Sequence, residues 1–375
     1  MMMRRSWLLA LAGAACAFGE AGTRIPVIIV ADVGIDDAAA TLLAVRHDEL
    51  EILGIAASFG CHGDVRQTAR NARRLLKAAG SCVPVYVGSA FPLGESSPPY
   101  DDGAYIHGKD GFGDVEDGAE AGLVSNNASM TKACTLADEP AAISAAEFIA
   151  RTARERPGVT VLVFSPLTNL ALAALIEPSL PHLVGRVIVM GGAVYYPGNV
   201  SPLAEANFAH DSRAAKVVVD AFSTVDGDKL VLAPLDVTMA AMVAQSTMAE
   251  VGKHGGAERL LSKAWATYAR NYCTVLKFCG DHGALHDVHP VAFLLWPEMY
   301  TSIQKLTIDV VVADKQGPSN GHSLVDRRNL AKGGAADDRT GVALGPKKKV
   351  TVLLDVDAPT FIAHFVDSLG PPRGA

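Results

Sequence analysis

The sequence predicts an α/β protein built on an open, mostly parallel, Rossmann-like sheet flanked by helices. Short apolar runs alternate along the chain with stretches of helical pattern, which is the order expected when parallel strands are joined through helices. The 375 residues are 49% hydrophobic and 6% aromatic, so the chain can bury a large core. Its 35 glycines and high alanine content further favour helices packed on both faces of the sheet.

Strands and helices can be assigned in chain order from these patterns. An apolar, β-branched run at residues 25–30 predicts the first strand, and the alanine-rich segment 37–45 predicts the helix after it. Residues 50–58 predict a second buried strand, and residues 67–79 predict the helix that follows it. Further strands are predicted at residues 83–87, 159–164, 186–190 and 230–233. Because ligands bind beyond the carboxyl ends of the strands in such sheets, the polar residues after each run are the informative ones.

Residues 1–22 are predicted to be a signal peptide, and residues 23–375 a single domain. A basic start, an apolar stretch at residues 7–18 and the small-residue pattern Ala15-Cys16-Ala17 are typical of a secretory leader. The apolar stretch is too short to span a bilayer comfortably. A buried first helix is the alternative. The leader predicts a secreted or lumenal protein that is not held in a membrane once the leader is removed.

The cysteines predict little cross-linking. After removal of the leader the chain would keep Cys61, Cys82, Cys134, Cys273 and Cys279. Because five is odd, at least one thiol is expected to stay free or to pair between chains. A chain of this size does not need disulfides, so no dense framework is expected.

The charge pattern bears on the partner. The formal net charge is −7 and the basic residues are scattered, so nothing predicts a surface for nucleic acid. A small neutral substrate fits better.

Residues 94–136 lack clear periodicity and predict a long loop, part of which is expected to fold over the site. Asn127-Ala128-Ser129 within it would be a glycosylation acceptor in a secreted chain.

Three carboxylates lie together at the end of the first predicted strand, in the segment Asp32-Val33-Gly34-Ile35-Asp36-Asp37. Like charges so close repel each other unless a cation lies among them. A hard divalent ion with oxygen ligands is the natural occupant. Because the nearby His and Cys residues lack zinc spacing, Ca²⁺ is preferred over Zn²⁺. The alternative is that Asp36 or Asp37 caps the following helix.

This cluster and four later segments carry a family resemblance. Residues 30–38 resemble the D-x-D-P-G-x-D-D-A motif of the inosine-uridine-preferring nucleoside hydrolase family, with Val30 and Val33 in place of Asp and Pro. The later segments follow in the family's order. They are Ile106-His107-Gly108 with Gly111-Phe112-Gly113, Ser165-Pro166-Leu167-Thr168-Asn169-Leu170-Ala171, Met190-Gly191-Gly192 with Gly198-Asn199 and Ala204-Glu205-Ala206-Asn207, and Leu285-His286-Asp287. The resemblance implies the nucleoside hydrolase fold and hydrolysis of purine or pyrimidine ribonucleosides to free base and ribose.

The resemblance implies a calcium site at the first motif. Asp32, Asp37 and Asp287 would bind Ca²⁺, with a backbone carbonyl near Phe164 as a further ligand. Asp32 would also take a proton from a calcium-bound water, because a cation lowers the pKa of its water and a carboxylate beside it can accept the proton.

The resemblance also implies which residues bind the ribose. Asp36 would contact one hydroxyl, and Asn199, Glu205 and Asn207 would grip the others, while Met190 would pack beside the sugar. A glycosylated Asn199-Val200-Ser201 sequon is the alternative for Asn199, and a solvated loop is the alternative for Glu205 and Asn207.

The segment Gly60-Cys61-His62-Gly63 departs from the family, which usually has Gly-Asn there with the Asn on the ribose. His62 is expected to replace that hydrogen bond, which Cys61 would supply only weakly. The effect of this departure on substrate preference is left open.

Departure of the base requires a proton or its equivalent. His286 is placed to act as a general acid that titrates near neutrality. Tyr268 and Tyr272 are four residues apart on a predicted helix, so they share a face and would either stack on the base or pack in the core. His107 is a further candidate for substrate binding. Trp265, on the same helix, is interpreted as a core residue.

The leading hypothesis is therefore a calcium-dependent ribonucleoside hydrolase. A non-catalytic or retuned relative that binds a nucleoside or another ribosyl compound is the alternative. An aspartyl-phosphate phosphatase would need a second Asp where this chain has Gly34. Preference for purines or pyrimidines is left open, and the resemblance implies a homodimer or homotetramer.

Overall fold

The structure is a computed structural model that describes residues 24–98, 102–116, 143–225, 227–315, 317–327 and 349–370. The predicted signal peptide, the Asn127-Ala128-Ser129 sequon and Cys134 lie outside these residues. The leader and the domain boundary after it therefore stay predictions.

Within the described ranges the chain forms one eight-stranded sheet and two sheets of two strands each. The strands are β1 (Ile25–Ala31), β2 (Leu50–Ala57), β3 (Val85–Val87), β4 (Thr160–Val163), β5 (Arg186–Met190), β6 (Leu230–Ala233), β7 (Met242–Ala244), β8 (His282–Ala284), β9 (Ser302–Leu306), β10 (Ile308–Val310), β11 (Ser323–Val325) and β12 (Val350–Asp355). β7 pairs with β8 and β10 pairs with β11, both antiparallel.

The large sheet confirms the predicted open, mostly parallel architecture. Its order is β3-β2-β1-β4-β5-β6-β12-β9. Pairing is parallel from β3 to β12, and only β12 and β9 run antiparallel. The order of strands reverses between β1 and β4, and a crevice beyond the carboxyl ends of the strands at such a point is where ligands bind in doubly wound sheets.

Thirteen α-helices connect or cover these strands in the described part of the chain. They are α1 (Ile35–Arg46), α2 (Val65–Ala78), α3 (Ala104–His107), α4 (Ala145–Glu155), α5 (Thr168–Ile176), α6 (Leu180–Leu183), α7 (Ala206–His210), α8 (Ser212–Ser223), α9 (Leu235–Thr238), α10 (Gln245–Val251), α11 (Gly256–Thr274), α12 (Val288–Leu295) and α13 (Ala358–Ser368). None of the helices that the structure describes is long and apolar enough to cross a membrane.

The core lies on both faces of the sheet, as β1 illustrates. Successive side chains of a strand point to opposite faces. Val27, Ile29 and Ala31 pack with α1, α2, α11, α12 and α13 on one face. Ile28 and Val30 pack with α4, α5 and α8 on the other. Burial on both faces explains why this strand is a continuous apolar run in the sequence.

Some predicted boundaries differ from the structure by one or two residues. Ser58 and Phe164 lie just beyond β2 and β4, although the backbone N–H of each still donates to a carbonyl of β1 at 2.8 Å. The described part of the predicted loop 94–136 contains the short helix α3, which lies at the site.

The cysteines agree in part with expectation. Cys61 is free and buried, whereas Cys273 and Cys279 form a disulfide, and Cys82 is also disulfide-bonded.

Candidate active site

A cleft opens at the carboxyl ends of β1, β2, β4 and β5, beside the point where the strand order reverses. It encloses ≈ 660 Å³, part of which is open to solvent. All of the predicted site residues except His62 line it. These lining residues are Asp32, Asp36, Asp37, His107, Phe164, Met190, Asn199, Glu205, Asn207, Tyr268, Tyr272, His286 and Asp287.

Four carboxylates crowd one wall of the cleft: Asp32, Asp36, Asp37 and Asp287 are each at most 4% exposed. Oxygens of Asp36, Asp37 and Asp287 lie within 4.8 Å of one another, as do atoms of Asp32, Asp37 and Cys61. Burial raises the pKa of all four carboxyls, and for Asp36 burial and the neighbouring Asp37 raise the pKa to about 8. A group of buried carboxylates is therefore costly unless a positive charge joins it.

The two carboxylate oxygens of Asp32 show whether a cation would fit this cluster. Its Oδ2 accepts the Cys61 backbone N–H at 2.6 Å. Its Oδ1 is buried and accepts no hydrogen bond from any residue that the structure describes. Buried polar atoms are almost always paired, so an unpartnered carboxylate oxygen beside three other carboxyls fits a divalent cation with oxygen ligands.

Asp37 belongs to the carboxylate cluster and also caps the helix that follows it, so both interpretations of the first motif hold for this residue. Its Oδ1 accepts the backbone N–H of Asp32 at 3.2 Å, and its Oδ2 accepts that of Gly34 at 3.0 Å, just before α1 begins. It therefore stabilises the positive end of the helix. The same side chain belongs to the carboxylate cluster, so capping positions this oxygen donor as well as stabilising the helix.

The turn after β2 packs closely against the Asp32 carboxylate. Gly60 has a φ of +150°, and a Cβ at this position would lie 1.8 Å from Asp32 Oδ2. The Cys61 thiol is 3.5 Å from Asp37 Oδ2, and burial followed by the charges of Asp32 and Asp37 raises its pKa, so the thiol stays protonated and acts as a weak donor. The close approach of this turn to the carboxylate requires glycine at position 60.

His62 does not fulfil the expectation of a sugar contact. It is not among the residues that line the cleft. Its Nδ1 accepts the backbone N–H of Asp64 at 3.0 Å, at the start of α2. The turn presents the Cys61 backbone N–H to Asp32 and leaves His62 in a local turn contact, so Cys61 is the residue of this segment that reaches the cleft.

The loop between β5 and α7 forms a second wall. Glu205 is buried and accepts the backbone N–H groups of Gly192, Asn207 and Phe208 at 2.9, 2.8 and 3.2 Å. Burial raises its pKa to about 7, against the effect of these three donors. Asn207 donates through Nδ2 to the Met190 carbonyl at 3.2 Å. The solvated-loop alternative is wrong for these two residues, because both are buried and bonded.

Asn199 lies at the mouth of the cleft. Its Oδ1 accepts the Ala206 backbone N–H at 2.9 Å, which ties the loop to the start of α7. The residue is exposed, so its side chain both orders the loop and borders the cleft.

Aromatic and imidazole groups form the third wall. The Tyr272 hydroxyl lies 2.5 Å from His286 Nε2, and His286 Nδ1 lies 2.7 Å from Thr238 Oγ1. Tyr268 donates to the Tyr272 hydroxyl at 3.4 Å. Both tyrosines are almost completely buried, so they serve the core and the cleft together. Trp265 is fully buried and donates through Nε1 to the Val243 carbonyl at 3.2 Å, as expected for a core residue.

The expectation that His286 titrates near neutrality is wrong. Burial lowers the pKa of its imidazole to about 4, because the cleft wall removes water that would solvate the charged form. Burial likewise lowers the pKa of His107 to about 3, and His107 Nδ1 accepts the Ile35 backbone N–H at 3.2 Å. Both rings are therefore neutral at pH 7 in this structure, and they act through hydrogen bonds.

Thr238, which is buried behind the cleft wall, and Leu276, which lines the cleft, are residues with a part in the site that were not anticipated. Thr238 lies on α9, just after β6, and its hydroxyl orients His286. Because ligand sites in such sheets lie beyond the carboxyl ends of the strands, a search of the residues after the predicted strand 230–233 would have found it. Leu276 lines the cleft from the segment between α11 and β8. No motif marked it, because its position depends on how the chain folds back after α11.

Comparison with known proteins agrees with this geometry. The family model "Inosine-uridine preferring nucleoside hydrolase" matches residues 27–363. Uridine nucleosidase 1 of Arabidopsis thaliana is 34% identical over 311 residues, which cover 82% of this chain and 83% of the relative. Probable uridine nucleosidase 1 of Oryza sativa subsp. japonica is 32% identical, covering 93% of this chain and 98% of the relative.

Among solved structures, the plant nucleoside hydrolase PpNRh1 superposes with a TM-score of 0.77 at 25% identity, covering 93% of this chain and 99% of that chain. The match therefore extends over nearly the whole of both chains. The chain belongs to the inosine-uridine preferring nucleoside hydrolase family, whose enzymes act on N-glycosyl bonds.

Proposed function

We propose that this protein is a secreted, calcium-dependent hydrolase that splits purine or pyrimidine ribonucleosides into free base and ribose. The observation that carries the proposal is the unpartnered, buried Oδ1 of Asp32 within a group of four carboxylates. The names of the relatives from Arabidopsis and rice make uridine the first pyrimidine substrate to test.

The residues that would hold Ca²⁺ are Asp32, Asp37 and Asp287, with the Phe164 carbonyl as a further oxygen donor. Phe164 follows β4, which pairs directly with β1, so its backbone lies beside Asp32 at the same edge of the sheet. When bound, the cation supplies a Lewis acid that acidifies water at this wall. Oxygen ligands at a rigid edge of this kind suit Ca²⁺.

The three walls of the cleft would have different roles: activating the water, binding the sugar and supporting the departing base. Asp32 accepts a proton from the water that attacks the anomeric carbon of the ribose. Asp36, Glu205 and Asn207 bind the sugar hydroxyls and keep that carbon in line with the water. The bond between sugar and base breaks with its electron pair leaving on the base, and the base takes up a proton from solvent while Asp32 releases the one it accepted. The neutral Tyr272–His286 pair supports the departing base by hydrogen-bond donation.

The localisation part of the proposal has support from the cysteines. The disulfide between Cys273 and Cys279 and the disulfide-bonded state of Cys82 suit an oxidising compartment. The N-terminal segment has the sequence pattern of a secretory leader. Recovery of the full chain in the medium of an expressing cell, with loss of the leader shown by mass spectrometry, would support secretion, and retention inside the cell would oppose it.

The activity is tested by measuring release of base and ribose from inosine and uridine, first with added calcium and then after chelation. Release that is lost on chelation and restored by calcium is expected. Binding of calcium without release from either nucleoside would instead favour a non-catalytic relative that binds ribosyl compounds. Release that is unaffected by chelation would oppose the metal site.

A further inference from the structure

A small loop closed by a disulfide forms part of the rim of the cleft. Cys273 lies in the last turn of α11, and Cys279 lies six residues later. Between them, the Phe278 backbone N–H donates to the Tyr272 carbonyl at 3.1 Å, and Lys277 adopts a φ of +65°, which reverses the chain. The disulfide and this hydrogen bond hold both ends of the loop against the helix.

The loop connects the two members of the aromatic and imidazole wall. Tyr272 directly precedes Cys273, and after Cys279 the chain runs through β8 to His286. Tyr272 and His286 approach each other to 2.5 Å. The loop therefore lies beside the groups that would face the departing base, because it is joined directly to Tyr272 and, through β8, to His286.

Within the loop, the apolar side chains have different surroundings. Leu276 is half-buried, packs against the core cluster on the α11 face of the sheet and lines the cleft. Val275 and Phe278 are 42% and 44% exposed and do not line the cleft. Leu276 is thus the member of the loop that a bound substrate can contact, and Val275 is a matched neighbour that it cannot.

We propose that Leu276 contacts the nucleobase and helps to determine which base is accepted, and that the Cys273–Cys279 disulfide holds Leu276 in that position. The inference rests on the proposed function for the assignment of this wall to the base. An aliphatic side chain that lines the cleft together with Tyr268 and Tyr272 offers an apolar surface, which suits a flat, uncharged heterocycle. A loop fixed before binding spares the substrate the entropic cost of ordering it.

The test compares Leu276→Ala with Val275→Ala in the full chain with its disulfides formed. We expect Leu276→Ala to raise the KM for nucleosides about tenfold with little change in kcat, because it removes contact made equally in the ground and transition states. The ratio of kcat/KM for inosine to that for uridine should change as well. Inhibition by free ribose, which has no base, should be unaltered in both variants.

The disulfide is tested by the double substitution Cys273→Ser with Cys279→Ser, which leaves the Cys82 disulfide intact where a reductant would not. This variant is expected to raise the nucleoside KM and to leave ribose inhibition unchanged.

Failure of the proposed function would appear as no base release by the unaltered protein. In an active protein, equal behaviour of the Leu276 and Val275 variants, or a parallel loss of ribose inhibition, would overturn the inference.

Discussion

The Tyr272 hydroxyl lies 2.5 Å from His286 Nε2, although 14 residues separate the two in sequence. His286 is held from its other side by Thr238, at 2.7 Å from Nδ1. All three side chains are buried. The orientation of the imidazole toward the cleft is therefore set by two hydrogen-bond partners, one on α11 and one on α9.

The first prediction concerns this pair. His286→Ala should slow hydrolysis of inosine by about 10²-fold, the contribution typical of a group that assists proton transfer. Tyr272→Phe should slow it by about tenfold, because it removes one hydrogen bond to the ring. Since the two act together, the double variant should lose little more than His286→Ala alone. The measurement is kcat at saturating inosine.

A nitrophenyl riboside, whose leaving group needs no proton, serves as the control substrate. Its hydrolysis should be slowed much less by either substitution. Equal losses on both substrates would mean that His286 and Tyr272 only position the sugar.

The second prediction concerns Asp32→Asn, which replaces a carboxylate by an amide of nearly the same size. Turnover should fall by about 10³-fold, since the group that accepts the water proton is gone. The fold should persist, because one fewer negative charge is buried beside Asp36, Asp37 and Asp287. In chelator the variant should melt at or above the temperature of the unaltered protein.

Melting temperature with calcium and with chelator measures the metal site directly. Calcium should raise it for the unaltered protein and for the exposed control Asp48→Asn, but less for Asp32→Asn. Near-normal turnover by Asp32→Asn would remove this residue from the mechanism.

The third prediction concerns Gly60→Ala. The added Cβ would lie 1.8 Å from Asp32 Oδ2, so the carboxylate must move and its hydrogen bond from Cys61 must break. We expect a loss of activity of about 10²-fold, the size of effect that a small misplacement of reacting groups produces.

Gly80→Ala is the matched control for backbone strain. Gly80 also has a positive φ, of +66°, but a Cβ there would have nothing within 4 Å. Both variants strain the backbone, but Gly60→Ala should lose more stability in thermal unfolding because of its clash with Asp32, and only Gly60→Ala should lose activity. Equal activity of the two would show that the approach of Gly60 to Asp32 is unimportant.

The fourth prediction concerns Glu205→Gln and pH. Burial raises the pKa of Glu205 from 4.5 to about 7, so the native state holds this proton more tightly than the unfolded state does. The stability from that proton is complete below pH 4.5 and is lost as pH rises through 7. Over this window the unaltered protein should therefore lose up to about 3 kcal/mol of unfolding free energy relative to Glu205→Gln.

Chemical unfolding at several pH values in chelator tests this, because the difference between the two proteins cancels the titration of the aspartates. Glu49→Gln, at an exposed position, is the control and should parallel the unaltered protein. A difference that does not vary between pH 4.5 and 7 would contradict the prediction.

The sequence by itself determined that strands and helices alternate to form a mostly parallel sheet and, through its motifs, most of the residues that gather at the carboxyl edge of that sheet. These features are local. A buried parallel strand is an apolar run, and the carboxylates that follow β1 lie within one short segment of chain. The family resemblance placed Phe164 with Asp32, and the structure supplies the reason, because β1 pairs in parallel with β4 and the ends of the two strands share one edge of the sheet.

Only the tertiary structure decided how several of these side chains act. His62 differs from Cys61 by one position, yet the turn after β2 brings Cys61 to Asp32 and leaves His62 outside the cleft. Leu276 reaches the rim because the chain folds back after α11 and is closed by a disulfide. Neither outcome follows from a pattern in the adjoining sequence.

His286 shows the physical reason most clearly. Its place in a motif identified it as a site residue, but its protonation state depends on burial, and its hydrogen-bond partners lie on α9 and α11. The sequence determined most of the residues that meet at the cleft, because strand and motif patterns are local. The tertiary structure decided their charge and orientation, because desolvation and hydrogen-bond partners come from distant parts of the chain.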